Sequence, residues 1–554
     1  MKKITLIGSL LLASIMALSG CVPGQNNKGS SSDAPASSSE ISESSSESES
    51  QSQEDKSLKL VETDPYELSA NHRNMRIKGM GYAGEQYTEK TRKNEEGKKQ
   101  TTYVVENVRA LVVPVDFEDH PYTKYADTED EAREELRKIM FGTRDETAWY
   151  SLSEYYKSSS HGVCNVTGDV APWWHYGARA SSIDKTNTSV SKDIAIQIQD
   201  YYRVHADEIN LADYDANKDG FVDALIMIYT APITITGQLW WAFCWSVSGA
   251  YGKYNESGNL EGINRFFWAS FNFFYEKSAN QYYTSEEIKS GAAKPDSHTI
   301  IHEFGHVLSL PDYYITDYNG ADYSGLGGLD MMDYNVGDHN TFSKMLYGWI
   351  NPQRVEGSEG SVTTTIRSTT TTGDAILIPA VDSWNSTYLD QYILVEFLTP
   401  EGVAELDGKE QLLGSYPLYY SVPGVRILHV DARMGVRSRG SSSYQFTGYT
   451  YATTPPDNTS YVSFAADNTA SDSCFPDYKL IEVMPATGRS MKARGSQAGD
   501  DCLFQAGQTF GSENIFPSFK FNGQDGTKTK EFGFKISIDA IDGMNSATIT
   551  ISRA

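Results

Sequence analysis

The chain has 554 residues, enough for two or three cores, and its 39% hydrophobic and 12% aromatic content is ordinary for a soluble globular protein. A formal net charge of −26 excludes nucleic acid as a partner, because the phosphates would be repelled. A solvated acidic surface accounts for that charge without any partner.

The chain opens with Lys2 and Lys3, an apolar run from Ile4 to Leu18, and then Ser19-Gly20-Cys21. The run is short for a membrane span and small residues precede a cysteine. Residues 1–21 therefore read as a signal peptide whose end resembles the lipobox of bacterial lipoproteins, with Cys21 acylated as the mature N-terminus. That reading puts the protein on the extracellular face of a bacterial cell membrane, held by its lipid. Residues 22–57 are largely Ser, Glu, Gln and Asp with almost nothing to bury, which predicts a disordered tether. No later segment is apolar enough to cross a bilayer. Of the other cysteines, Cys164, Cys244, Cys474 and Cys502, a Cys474–Cys502 bridge and free buried thiols are both open.

The first strong element is Val108–Phe117, a run of apolar, β-branched residues that predicts a buried strand. An acidic helix follows over 127–141, then a helix from Ser151 ending at Gly162, and a strand pair from Val163 to Trp174 turned at Thr167-Gly168. Residues 186–208 read as helix, 221–230 as another buried strand, and 296–310 as a helix. After Trp349 short strands dominate, among them 392–398, 424–431, 478–484 and 546–552. The fold class this predicts is α+β: a domain over 58–350 with a mixed sheet, followed by a β-rich, sandwich-type domain over 351–554, acting as a monomer.

Within the 296–310 helix, residues 302–306 read His-Glu-Phe-Gly-His. Positions i and i+4 share one helix face, so the imidazoles of His302 and His306 can reach one zinc ion, and Glu303 beside them can take a proton from the attacking water. A catalytic zinc wants a third protein ligand and an open position. Asp312 is the best candidate, because Pro311 stops the helix and lets the chain turn back; Asp317, Asp330 and His339 are the alternatives.

The spacing His-x3-His-x5-Asp and, downstream, the run Gly328-Leu-Asp-Met-Met-Asp-Tyr334 resemble the metzincin pattern and its Met-turn, which implies Met332 beneath the metal and Tyr334 two residues on, where it could hydrogen-bond an oxyanion. More narrowly, His302 to Tyr313, Lys344-Met-Leu-Tyr-Gly-Trp-Ile350, VPVDF117, VTGDVAPWW174 and PGVRILHVD431 resemble the immune inhibitor A family of bacterial metallopeptidases, over roughly residues 105–550. The resemblance implies zinc-dependent cleavage of protein or peptide substrates, structural calcium, and a metzincin-like catalytic domain. That family has glycine where this chain has Ser309, at a left-handed turn that serine can adopt at about 1 kcal/mol.

Asp213, Asp215, Asn217, Asp219 and Asp223 place side-chain oxygens at alternate positions around Gly220, as the start of a calcium loop does. A second ion at Asp317–Asp322 is less favoured than a plain turn. The aromatic residues Trp240, Trp241, Trp245, Phe266, Phe267, Trp268 and Tyr275 suit either a core or a substrate groove, and His298 suits either a surface place or a contact that orients the site. Two other functions fit the same residues: a surface lipoprotein that binds a host or matrix protein and keeps a silent metal site, and a zinc amidase acting on cell-wall peptides.

Overall fold

Strand β1 (Lys59–Val61) is the first strand among the described residues, and the apolar run predicted from Val108 forms the long strand β2 (Asn107–Asp116). The computed structural model describes residues 56–68, 76–77, 81–82, 86–247, 262–278, 281–315, 323–379, 384–411, 416–439, 444–450, 456–457, 459–469, 478–495, 497–523 and 528–554. The lipobox with Cys21, the tether up to residue 55, Asp317, Asp322 and Cys474 lie outside them.

Side chains of β2 alternate between two cores. Val108, Ala110 and Val112 join one cluster, while Leu111, Val113 and Val115 join another on the opposite face. A strand covered on both sides must be apolar throughout, which is why the run shows no polar alternation. Helices α1 (Glu129–Phe141) and α2 (Leu152–Ser159) lie on the first face, α1 opened by a Thr128–Glu131 capping box and α2 by the Ser151 hydroxyl.

The predicted strand pair at Thr167-Gly168 does not form. Strands β3 (Asn165–Val170) and β4 (Trp174–His175) both run parallel to β2, with Thr167 opposite Arg109 and Gly168 opposite Ala110. A side chain at Gly168 would meet the Ala110 carbonyl oxygen at 2.0 Å, so the glycine serves close approach of two strands rather than a turn. Helix α3 (Ser189–Val204) covers the second face with Ile194, Ala195 and Ile198. Strands β5 (Ala224–Tyr229), β6 (Phe243–Ser246) and β7 (Arg265–Ser270) complete a mixed sheet in the order β6-β7-β5-β2-β3. All its neighbours are parallel except β6 and β7, so β6 is an antiparallel edge.

The motif helix α4 (His298–Val307) packs beneath that edge, followed by a single helical turn, α5 (Met331–Tyr334). Beyond it come β8 (Gln353–Glu356), β9 (Ser361–Arg367), β10 (Ala375–Pro379), β11 (Gln391–Leu398), β12 (Gly424–Asp431), β13 (Ile481–Val483), β14 (Thr509–Phe510), β15 (Phe534–Asp542) and β16 (Ser546–Arg553). They form two sheets, β1-β8-β10-β11-β12-β13 and β9-β16-β15-β14. Ile376, Ile393 and Val395 from the first share a core with Ile366, Ile536 and Ile549 from the second.

The molecule is thus mixed α and β with several sheets, compatible with the α+β class. Ser57–Ala554 forms one compact unit, and within it β1 pairs with β8 of the β-rich part. Cys164, Cys244 and Cys502 are buried and take part in no disulfide. Among the described residues no helix is long and apolar enough to cross a membrane.

Candidate metal centre

Helix α4 is buried along almost its whole length, and its spacing puts the rings of His302 and His306 4.9 Å apart on one face. Each ring is fixed through its Nδ1. That of His302 donates to the Met331 carbonyl at 2.7 Å and that of His306 to the Leu310 carbonyl at 2.9 Å. A carbonyl can only accept, so Nδ1 carries a proton in both rings, and in the neutral imidazole Nε2 is the atom that keeps the lone pair a metal needs. Both Nε2 atoms converge on Asp312 Oδ1, at 3.2 Å and 3.1 Å.

Burial works against charge on His306, yet Asp312 beside it raises its pKa to about 9. Burial likewise pushes Asp312 up, but His306 and His302 pull its carboxyl well below the usual range. The donor atoms of the three residues lie within 4.8 Å of one another, the one such group among the described residues. Separations of 3.1–3.2 Å suit a zinc tetrahedron, whose edge is about 3.3 Å for ligands about 2.0 Å from the centre. Imidazole nitrogens with their second nitrogens pinned, plus a carboxylate, fit zinc.

Glu303 lies 8% exposed, and burial raises its carboxyl pKa. The backbone N–H of Cys244, on edge strand β6, hydrogen-bonds this carboxylate, while Oε2 has no partner. The glutamate is held at one side and has a buried, unpartnered oxygen at the other. It lines a cleft of about 600 Å³ with Asp312, His306, Lys192, Trp241, Trp245 and Tyr314.

Met332 packs against the motif helix at Gly305. A side chain at Gly305, between the two histidines, would meet its Sδ at 2.4 Å, so the missing Cβ lets the sulfur reach the helix. Asp330 caps the Met332 turn by accepting from the N–H groups of Met332 and Asn340, which removes it as an alternative metal ligand. His339 is removed too, buried among the rings of Tyr155, Tyr156, Tyr347 and Trp349.

Ser309 does adopt the left-handed conformation, at φ 78°, and its hydroxyl accepts from Arg265. Tyr334 is 46% exposed with its ring beside Gly328. The tyrosine that faces the cleft is Tyr314, stacked on His302 at 6.2 Å and hydrogen-bonded to Asp312; burial, then the Asp312 charge, push its phenol up. It stands two residues past Asp312, where the motif offered a signal that its spacing alone did not single out.

His298 is neither a surface residue nor an orienter of the metal ligands. It is fully buried, stacked on Trp149 at 3.7 Å, between Asp296 at 2.5 Å and Asp407 at 3.1 Å. The aromatic cluster divides: Trp240, Phe266, Trp268, Phe267 and Tyr275 are core, whereas Trp241 and Trp245 border the cleft. In the acidic loop, Asp215 accepts from the N–H groups of Asp219 and Gly220, and Asp223 from those of Ala216 and Arg109. Asp213 packs against Asn210, and Asn217 accepts from Asp219 N–H.

Two helical imidazoles, a returning carboxylate and a half-tethered glutamate in an open cleft define a candidate metallopeptidase centre. The comparisons agree with that class. Over 248 residues the chain is 26% identical to the pre-pro-metalloprotease PrtV of Vibrio cholerae, covering 38% of this chain and 26% of that protein. It is 23% identical over 248 residues to immune inhibitor A of Bacillus thuringiensis subsp. alesti, covering 38% of this chain and 34% of that protein. The chain therefore spans about a quarter to a third of the length of these relatives. No family model matches it. These distant similarities support a metallopeptidase family for the chain.

Proposed function

We propose that the chain is a secreted, lipid-anchored zinc metalloendopeptidase of the immune inhibitor A kind, with a metzincin-like catalytic part over about 58–350 and a β-rich part over 351–554 that shapes the cleft. The observation that carries the reading is the meeting of His302 Nε2, His306 Nε2 and Asp312 Oδ1 in the cleft that Glu303, with its unpartnered Oε2, also lines. His302, His306 and Asp312 would hold the zinc, which when bound would supply Lewis acidity to the scissile carbonyl and to the attacking water. Glu303, raised in pKa by burial, takes the water's proton on Oε2 and passes it to the leaving amine. Cys244 N–H keeps the carboxylate aimed, and Tyr314 donates to the developing oxyanion in place of Tyr334.

Structural calcium at Asp213, Asp215, Asn217, Asp219 and Asp223 belongs to the same proposal, supported by their alternate spacing and the burial of Asp215 and Asp223. The N-terminal lipid on Cys21 and an extracellular, protein or peptide substrate complete it.

The test compares zinc content and casein cleavage of the full chain with those of its Glu303→Ala variant. Zinc in both and cleavage only by the wild type is the expected result. Zinc in both without cleavage by either favours a silent-site binding protein or, if cell-wall peptides are cut, an amidase. Absence of zinc from the wild type refutes the reading.

A further inference from the structure

The turn that returns Asp312 to the metal contains a residue poorly suited to it. Ser309, two residues past the end of α4, has φ 78°, a conformation in which an L side chain crowds its own backbone. Such a residue persists only where its surroundings over-determine it.

The surroundings are supplied by Arg265, at the start of β7 and 2% exposed. Its Nη1 donates to the His306 carbonyl at 2.8 Å, to the Val307 carbonyl at 3.0 Å and to the Ser309 hydroxyl at 3.0 Å. Two N–H bonds are shared among three acceptors. The carbonyls belong to the last turn of a helix, where they lack intrahelical partners and where a cation is favoured. One guanidinium thus closes the helix end and grips the side chain of the strained residue.

The same turn aims both ends of the ligand set. Ser309 N–H bonds back to the His306 carbonyl and Leu310 N–H to the Gly305 carbonyl, each at 2.9 Å. Leu310 in turn offers the carbonyl that orients His306, and Asp312 follows two residues later. A turn that relaxed toward right-handed backbone would move the Leu310 carbonyl and Asp312 together.

We propose that Arg265 is the positioning residue of the metal-binding turn, holding Ser309 left-handed so that Asp312 meets both imidazoles. The proposal rests on the zinc reading above. It predicts that serine is tolerated here only with the arginine, and that glycine, which takes positive φ freely, makes the arginine dispensable.

Zinc affinity of the full chain, measured by competition with a chromophoric chelator, tests this in wild type, Arg265→Met, Ser309→Gly and the double variant. Arg265→Met is expected to bind zinc about 10- to 100-fold more weakly, as for loss of groups that orient metal ligands. Ser309→Gly should bind like wild type, and the double variant should return to the Ser309→Gly level. A double variant as weak as Arg265→Met, or an Arg265→Met of wild-type affinity, overturns the proposal, since a general packing role for the arginine would not be rescued by one glycine. Should Arg265→Met fail to fold, Ser309→Ala carries the test: it keeps the strained turn but loses the grip, so wild-type zinc affinity in that variant overturns the proposal as well. A wild type that binds no zinc refutes the zinc reading, whereas zinc binding without rescue refutes only the role of Arg265.

Discussion

At the scale of single residues, two tyrosines are candidates for the oxyanion, and they differ in where the fold puts them. Tyr314 lines the cleft and reaches Asp312, whereas Tyr334 is turned toward Gly328 and solvent. Tyr314→Phe is therefore expected to lower kcat by about 100-fold, the scale of a lost oxyanion donor, with KM little changed, while Tyr334→Phe leaves kcat near wild type. Steady-state kinetics on one peptide substrate would decide, and the reverse ranking would return the role to Tyr334. Gly305 makes a second claim, because its Cα faces Met332 Sδ too closely for a methyl group. Gly305→Ala should cost about 1–3 kcal/mol in denaturant unfolding, the usual range for overpacking. The candidate ligand set His302, His306 and Asp312 was legible in sequence, because metal chemistry calls for fixed residue types at fixed spacing. Arg265, Tyr314 and the Cys244 N–H were not, because they reach the site through the fold rather than through the motif.

At the scale of elements, α4 is anchored at its start as firmly as Arg265 anchors its end. His298 begins the helix between Asp296 and Asp407, and Asp407 also accepts from Gly337 N–H at 2.6 Å. Burial opposes charge on His298, but the two carboxylates win and raise its pKa to about 10. With the folded value above the ordinary 6.5, this contribution to stability is full below about pH 6.5 and is lost as pH rises through about 10. Wild type should lose more stability than His298→Gln between those limits, read from denaturant midpoints across the range, and parallel curves would contradict the arrangement. Element positions were legible where periodicity was strong, as in β2, α1 and α4. Gly168 was misread as a turn because close strand approach and chain reversal both favour glycine, and only the parallel partner distinguishes them.

At the scale of the molecule, the β-rich half supports the site rather than following it. Thr341 N–H donates to Glu396 at 2.6 Å, and Glu396 pairs with Arg426, both 1% exposed. Asn468 donates to the Tyr313 carbonyl at 3.1 Å, and Val483 N–H to the Gly325 carbonyl at 2.9 Å. Phe304 and Met332 share one buried cluster with Leu377, Leu394, Leu428 and Leu503. This sharing was invisible in sequence, since pairings such as β1 with β8 are set by contacts far apart in the chain. Cutting after residue 350 would expose that cluster and strip Glu396 from the chain leading out of the Met332 turn. The full chain is therefore expected to lose near-UV circular dichroism and zinc together in one cooperative transition, whereas a fragment ending at residue 350 should show neither native near-UV signal nor zinc binding. A fragment that binds zinc with wild-type affinity would show that the first half closes its own core, and that the β-rich half adds stability or substrate contacts without building the site.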